Sequence, residues 1–298
     1  MRGEGTKELV PHTMTRMGDV LAGFHAAWEF DSDSVLIRYE RGIRTPKLFQ
    51  ALGERRVPLD ALAGVTLTHG KRGTVVLHAE PRPGADPLME AAAGQLKESC
   101  DPYRLVLPAE KETLAEYYAD ELRAQLKQDD GPSDRFLVEA PEVPLQFKAY
   151  DGKASFDGRA VHFRWFWTGA SSAKWKAGDQ TFAVSELTGV QWRSPEVFEG
   201  HLRLLRGEAP PVQADQDPAA VVFGLGYGPV HESLPFAAAV LAALRDRSAL
   251  PAVPTAAMPR RDPADIAERI RHLGELHQAG LVTDEEFSAK KAELLAEL

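Results

Sequence analysis

The amino-acid sequence contains an internal repeat. The stretch from Trp28 to Tyr39 returns as Ala154 to Trp165, at a spacing of about 126 residues. The matched positions are Phe30-Asp31 with Phe156-Asp157, Val35 with Val161, Ile37 with Phe163, and Arg38 with Arg164. In each copy a polar tight turn separates two runs with β-branched or aromatic residues at alternate positions, which is typical of a β-hairpin. A period this long exceeds that of a solenoid unit, so the repeat predicts two tandem domains of one fold.

Further blocks recur in the same order in both copies. The pairs are Val57–Val65 with Phe182–Val190, Asp101-Pro102 with Asp217-Pro218, and a helix at Glu110–Lys127 with a helix at Leu234–Arg245. In the first of these helices, apolar residues three and four positions apart predict one buried stripe. The stripe comprises Leu114, Tyr117, Tyr118, Leu122 and Leu126.

Each copy reads as a twisted antiparallel sheet of about seven strands followed by one amphipathic helix. A half-open barrel has an apolar open end, and a helix that plugs it buries both that end and its own stripe. The predicted fold class is therefore mainly β (α+β), with two tandem pleckstrin-homology-like barrels, each closed by a C-terminal helix, and a C-terminal α-helical hairpin. A small β-sandwich with a trailing helix is the alternative.

Composition shifts predict the domain boundaries. Asp129-Asp130-Gly131-Pro132-Ser133 has the composition of a linker, and four prolines among alanines mark a semi-extended tether before the C-terminal hairpin. The segments are a leader at 1–19, a first domain at 20–128, a linker at 129–142, a second domain at 143–248, a Pro/Ala-rich tether at 249–263 and the hairpin at 264–298.

Composition also excludes several classes of protein. The chain has 298 residues and a net charge of −9, so bulk attraction to nucleic acid or anionic lipid is not expected. The single cysteine, Cys100, excludes an intrachain disulfide framework and a multi-cysteine metal site; we expect it partly buried and inert at a helix end. No apolar run is long enough for a membrane span, and the N-terminus lacks the apolar run of a signal peptide, so a cytoplasmic location is expected.

The C-terminal segment carries the local signals of a helical hairpin. Gly280 supplies a left-handed residue that ends the first helix, and Thr283 with Glu286 forms a capping box for the second. Val282 and Phe287 form a hydrophobic staple across that cap. The stretch Leu273 to Lys291 resembles the SHOCT (short C-terminal) domain, and the tandem copies resemble an uncharacterised family of high-GC bacteria with two pleckstrin-homology-like repeats of unknown function, often ahead of a SHOCT hairpin. The resemblance implies a fold and an architecture, together with assembly through SHOCT, but no established reaction.

The hairpin has 35 residues from Ala264 onward, which is too few to bury a stable core alone. Its apolar residues therefore require a counterpart, either another copy's hairpin or the second domain of the same chain. We predict self-association through Ile266, Ile270, Leu273, Leu276, Phe287, Leu294, Leu295 and Leu298.

The candidate motifs for catalysis or cofactor binding lack the residue spacing that these functions require. The loop Gly224-Leu225-Gly226-Tyr227-Gly228 lacks the dinucleotide-binding spacing and any phosphate-binding lysine, so it predicts a tight turn between the last strand and the closing helix. Asp31-Ser32-Asp33 lacks the glycine and glutamate of a calcium loop. No histidine pair has metal spacing. We therefore predict no catalytic residue, cofactor or metal site, with an enzyme whose site is dispersed over the fold as a remaining alternative.

Two sets of residues are candidates for binding. The cationic stretch crowds the early hairpin region of the first domain and comprises Arg38, Arg41, Arg44, Lys47, Arg55 and Arg56. It is either a solvated loop or an anion site for a membrane headgroup or nucleic acid. The tryptophan set comprises Trp165, Trp167 and Trp175; alternation places the first two on one face, and either face is core or an exposed partner patch.

The sequence thus favours a non-catalytic scaffold or adaptor. Its pleckstrin-homology-like domains would bind a protein partner, and its SHOCT hairpin would drive homo-oligomerisation. The alternative is a module that binds an anionic ligand, a membrane headgroup or nucleic acid through the cationic stretch.

Overall fold

The computed structural model describes residues 19–126, 131–207, 212–249, 271, 273–274 and 283–296. The chain forms two compact units, Met1–Leu250 and Pro251–Leu298. The first unit contains both copies of the repeat, which we call the first half and the second half.

The first half contains two antiparallel sheets. One has four strands in the order β1-β2-β3-β4 and the other has three in the order β5-β6-β7. The strands are β1 (Asp19–Ala22), β2 (Ala26–Phe30), β3 (Ser34–Tyr39), β4 (Glu54–Pro58), β5 (Leu62–His69), β6 (Thr74–Pro81) and β7 (Arg104–Pro108). The predicted hairpin is confirmed, because Trp28 on β2 pairs with Ile37 on β3.

The second half repeats this arrangement. Its sheets have the orders β8-β9-β10-β11 and β12-β13-β14, again antiparallel throughout. The strands are β8 (Leu145–Lys148), β9 (Gly152–Phe156), β10 (Ala160–Trp165), β11 (Gln180–Ala183), β12 (Gly189–Arg193), β13 (His201–Leu205) and β14 (Ala220–Val222). The matched strand orders confirm the two repeated halves.

Strand pairing in the described residues does not close into a barrel. In the first half the two sheets meet at a single bridge between Phe24 and Val106. In the second half the corresponding contact is one hydrogen bond from Tyr150 N to Val222 O, 2.9 Å long. Each half is therefore an α+β unit of two sheets that touch along one edge.

Helices close and connect the sheets. The α-helices in the described part of the first unit are α1 (Lys47–Leu52), α2 (Pro87–Ala92), α3 (Glu112–Gln125), α4 (Ser172–Ala177) and α5 (Val230–Ala249). The predicted closing helices correspond to α3 and α5, and each packs on sheets of its own half.

The predicted stripe of α3 is only partly correct. Tyr118 and Leu122 are buried, but Leu114 and Tyr117 are 44% and 50% exposed. Ala115 and Ala119 are buried in their place. Small side chains let the helix backbone lie close to the sheet, so the helix turns its alanines inward and leaves two larger residues in solvent.

The two halves share a hydrophobic core. Leu48 of α1 and Leu88, Ala91 and Ala92 of α2 belong to the first half by sequence, but they are buried in the core of the second half. Both helices pack against α5. The two halves are therefore one body, since neither half buries these apolar faces alone.

Polar contacts follow the same interface. The Gln95 side chain donates to Trp192 O and accepts from Ser194 N, both at 3.0 Å. Arg245 of α5 donates to Gly84 O at 2.7 Å. Val138, in the predicted linker 129–142, is buried in the core of the first half, and its N–H donates to Ala85 O. The connecting chain between the halves is thus packed where it is described.

A buried ion pair anchors the helix that joins the halves. Both Asp86 oxygens accept from the Arg55 guanidinium, at 2.8 and 2.9 Å. Asp86 also caps α2 by accepting from Leu88 N at 2.8 Å, and it accepts from the Tyr103 hydroxyl at 2.7 Å. Burial lowers the pKa of Arg55, but Asp86 and the two neighbouring tyrosines raise it by more, so Arg55 stays charged. The network joins β4, the α2 N-terminus and the chain before β7.

In the second unit, the structure describes one long helix, α6 (Asp284–Ala296). It begins directly after Thr283, the predicted cap residue, and Phe287 N donates to Thr283 O at 2.9 Å. Leu273 is buried and Phe287 is half-buried, while Leu294 and Leu295 lie on α6. Ile266, Ile270, Leu276, Gly280, Val282 and Leu298 lie outside the described residues. None of the helices that are described is both long and apolar enough to cross a bilayer.

Two adjacent arginines on β4 provide a test of the buried network. Replacing Arg55 with methionine leaves the Asp86 carboxylate buried without its cation, and we expect a loss of about 3–5 kcal/mol in the free energy of unfolding. The control is Arg56→Met, because Arg56 is exposed and pairs with Asp31 at the surface, where such pairs contribute about 0–1 kcal/mol. Urea unfolding measures both. Equal losses would contradict the role assigned to Asp86.

Candidate functional site

Two arginines of the cationic stretch are engaged at the surface by carboxylates. Arg38 forms ion pairs with Glu29 and, at 3.6 Å, with Glu54. Arg56 pairs with Asp31 at 2.6 Å. These neighbours neutralise much of the charge that the sequence concentrates here, because an arginine held by a carboxylate attracts a second anion less strongly.

Arg55 does not belong to a surface anion site. Its side chain is buried, and Asp86 engages both ends of its guanidinium fork. Sequence position alone does not reveal this, because Asp86 lies 31 residues further along the chain. The prediction that Arg55 binds an external anion is corrected accordingly.

The remaining three members of the stretch are also exposed, and they differ from Arg38 and Arg56 in their lack of partners. Arg41, Arg44 and Lys47 form no ion pair or side-chain hydrogen bond with any residue that the structure describes. Arg41 and Arg44 follow β3 in a loop, residues 40–46, whose turn is held by a hydrogen bond from Thr45 N to Gly42 O. The loop leads into α1, and Lys47 is the first residue of that helix.

A groove of about 600 Å³ lies between the two halves, beside the start of α1. The first half contributes Pro46 to Leu48 and Cys100 to its lining. The second half contributes two loops, residues 195–200 between β12 and β13, and residues 223–231 between β14 and α5. Concave sites of this volume are typical of ligand and peptide-side-chain binding.

The glycine-rich segment forms one lip of the groove as the predicted tight turn. Gly224 and Tyr227 exchange backbone hydrogen bonds of 3.4 and 2.9 Å. Gly228 has a φ of +64°, and a Cβ there would lie 2.1 Å from Phe223 Cδ1, so only glycine fits. The turn leaves the Leu225 side chain fully exposed at the lip.

The second lip is the loop between β12 and β13. Phe198 stands at its tip and is 83% exposed. The next residue, Glu199, has a φ of +59°, a conformation that residues other than glycine seldom adopt. Gly200 follows, and a Cβ there would lie 2.5 Å from Ser194 O. The loop therefore holds Phe198 in solvent at a cost in backbone conformation, as is common at binding sites.

The lining of the groove includes His231 and Cys100. Burial lowers the pKa of His231, and nearby Lys47 lowers it further, while Glu232 opposes both. His231 is thus neutral near pH 7, and Lys47 supplies a positive charge at this wall. Cys100 is partly buried at the end of a short 3-10 turn, as the sequence predicted.

The tryptophan set divides between core and surface. Trp165 is buried, and its indole N–H donates to Gly178 O at 2.7 Å. Trp167 and Trp175 are 37% and 36% exposed, with their ring centroids 4.7 Å apart in an edge-to-face pair. Alternation predicted Trp165 and Trp167 on one face, which is wrong because β10 ends at Trp165 and Trp167 lies beyond it.

Beneath these loops lies a buried ion pair that sequence reasoning missed. Lys174 Nζ is 2.5 Å from Asp151 Oδ2 and donates to Ala220 O at 2.8 Å, and Asp151 Oδ1 accepts from Val222 N. The pair joins α4, the β8–β9 turn and β14. Burial raises the pKa of Asp151 and lowers that of Lys174, more than their mutual attraction offsets. No local signal reveals the pair, since Lys174 on a short polar helix resembles a solvated lysine.

Among the described residues, no group of three or more histidine, cysteine, aspartate or glutamate side chains is placed to hold a metal ion. The carboxylates of the acidic turn after β2 contact other side chains of the protein. Asp31 pairs with Arg56, and Asp33 accepts a hydrogen bond from Ser34. The groove is a concave site among the described residues, and its lining is largely apolar, with Lys47 contributed by the first half and Glu196 and Glu199 by the second.

Comparison with known families identifies the repeat. Residues 28–123 and 154–241 both match the family described as Domain of unknown function (DUF4429), and together they cover more than half of the chain. The chain belongs to the DUF4429 family. The two matches coincide with the two halves, which are therefore two DUF4429 copies. Residues 268–295 match SHOCT, the Short C-terminal domain. No curated protein matches the chain.

The Lys174–Asp151 pair of the second DUF4429 copy predicts a pH-dependent defect. In Lys174→Met the buried Asp151 loses its cation, so we expect a loss of about 3–5 kcal/mol in the free energy of unfolding at neutral pH. Because burial then holds the pKa of Asp151 above its unfolded value, the folded state takes up a proton as the pH falls and the loss shrinks. Urea unfolding of both chains, measured from neutral to acidic pH, checks the trend.

The matched control is Lys176→Met, which removes an exposed lysine from the same helix and should change stability by less than about 1 kcal/mol. A Lys174→Met defect that stays constant or grows with acidification would show that Asp151 is not the residue left uncompensated.

Proposed function

We propose that this DUF4429 protein is a non-catalytic scaffold. Its two copies act as one rigid body that binds a protein partner, and its SHOCT segment drives self-association. The observation that carries the proposal is the shared core, in which α1 and α2 of the first copy are buried against α5 of the second. A fused pair of domains presents both surfaces, and the groove between them, in one fixed geometry.

We also propose that each copy is of the pleckstrin-homology-like type. Supporting features are the order of seven strands in a four-plus-three arrangement, the antiparallel pairing throughout and the closing helix at the C-terminal end. Folds of this kind host many unrelated functions, so the type of fold does not itself name a ligand.

Self-association through SHOCT is supported by size and by apolar content. Helix α6 carries Phe287, Leu294 and Leu295, and the second unit has 48 residues, close to the length below which a domain needs outside help. Helix caps contribute only about 0.5–2 kcal/mol each, whereas ordering a residue costs about 1–2 kcal/mol of backbone entropy. Burial of an apolar face against a second copy supplies the difference.

The other candidate functions have narrower support. Anion binding would now rest on Arg41, Arg44 and Lys47, which are exposed and unpaired among the described residues, and the chain's charge of −9 works against it. An enzyme with a dispersed site would need cooperating groups, and the described contacts include no hydrogen bond between His231 and Cys100. The cytoplasmic location stays a prediction from the sequence.

Light scattering on the purified chain tests the scaffold proposal. We expect the intact chain to be an oligomer and a chain that ends at Met258 to be a monomer, because truncation removes the self-associating segment. Phe287→Ser should shift the intact chain towards monomer, since it removes an apolar side chain from α6. Ala289→Ser is the control, because Ala289 is exposed on the same helix. Monomers for both the intact and the truncated chain would contradict self-association.

A further inference from the structure

The lips of the groove expose four large apolar side chains, two close together in sequence on each lip. Phe198 and Leu225 are 83% and 102% exposed, and Val197 and Tyr227 beside them are 46% and 43% exposed. All four line the same groove. Scattered exposed apolar residues are ordinary, but a group around one concavity is typical of an interaction site.

The backbone holds these side chains in place before anything binds. Phe223 N donates to Gly200 O at 2.8 Å, which joins the two lips, and Gly228 N donates to Lys148 O at 2.7 Å, which fixes one of them to β8. The left-handed Glu199 maintains the tip that carries Phe198. A surface ordered in advance loses less conformational entropy on binding.

The charge at the groove is asymmetric. Lys47 lines the wall of the first copy, with Arg44 and Arg41 in the loop before it, and none of the three has an ion-pair partner among the described residues. On the second copy, Glu196 is already neutralised by Lys97 at 2.7 Å, while Glu199 lies exposed beside Phe198. A ligand that carries carboxylates near its apolar part therefore finds unpaired cations on one side.

The groove also adjoins the packed interface between the two copies. Leu48, next to Lys47, is buried against the second copy, so the packed contact between the copies opens directly into the groove. A volume of about 600 Å³ accommodates a few side chains of a peptide and is too small for a folded domain.

We propose that the groove binds a short segment of another protein, with a leucine or an aromatic side chain between the lips and carboxylates against Lys47 and the 40–46 loop. The inference rests on the proposed scaffold function and names the chemistry of its partner. A lipid surface fits less well, because the apolar side chains border a concavity and the net charge of −9 repels an anionic bilayer.

In the experiment, a phage-displayed library of random peptides is selected for binding to the full-length protein. Enriched peptides are synthesised with a fluorophore, and their affinities are measured by fluorescence polarisation. We expect enriched sequences to combine leucine or an aromatic residue with glutamate or aspartate. Leu225→Ser should weaken binding by roughly tenfold or more. Lys47→Glu should also weaken it, with an effect that diminishes as salt is added.

Matched controls lie away from the groove. Leu114→Ser removes another exposed leucine, on α3, and Lys71→Glu reverses another exposed lysine, in the β5–β6 turn. Both should leave the affinity unchanged. All four positions are exposed, so circular dichroism and light scattering should match those of the unsubstituted chain.

Several results would overturn the inference. One is that the selection enriches no peptides. Another is that peptides are enriched but bind the Leu225→Ser and Lys47→Glu variants as tightly as the unsubstituted chain. Binding to phosphatidylserine vesicles that both substitutions abolish would assign the groove to lipid. Loss of self-association in Leu225→Ser would assign it to a second copy. Light scattering of the truncated chain tests the scaffold function separately, so an oligomer without peptide binding would reject the groove alone.

Discussion

The structure of the first unit depends on one buried carboxylate. Asp86 accepts hydrogen bonds from Arg55, Leu88 N and Tyr103, and thereby fixes the start of α2 on the first copy. The opposite face of α2 is part of the second copy's core. A charge taken out of water is costly unless it is fully paired, so the network specifies one position for the helix more than it adds stability. The placement of the second copy follows from that position.

The groove and its lips follow from the same arrangement. Helix α1 brings Lys47 to the second copy because its neighbour Leu48 is buried there. On the other side, Lys174 and Asp151 hold α4, the β8–β9 turn and β14 together beneath the loops of the second copy. Rigid elements therefore support loops that expose apolar side chains, which is the usual division between a scaffold and a binding surface.

Local sequence patterns predicted the strands, whereas contacts between residues distant in sequence determine which side chains are available at the candidate site. Alternation at Val35 to Tyr39 and its repeat at Val161 to Trp165 depend only on neighbouring residues, and these hairpins form as expected. Arg55 and Lys174 pair with residues 31 and 23 positions away, so their sequence surroundings resemble those of solvated cations. The buried face of α3 was mispredicted for a related reason: the close approach that favours Ala115 and Ala119 is a property of the packed sheet.

The most direct test of the account is whether the two copies unfold as one body. Peptide-resolved hydrogen exchange of the intact chain would be compared with and without Leu202→Ala, which opens a cavity in β13 of the second copy and costs about 2–5 kcal/mol. The shared core predicts that the slowest-exchanging amides of β6 and β7, in the first copy, lose protection together with those of the second copy. Undiminished protection in the first copy would show that the copies are independent domains, and would contradict the account.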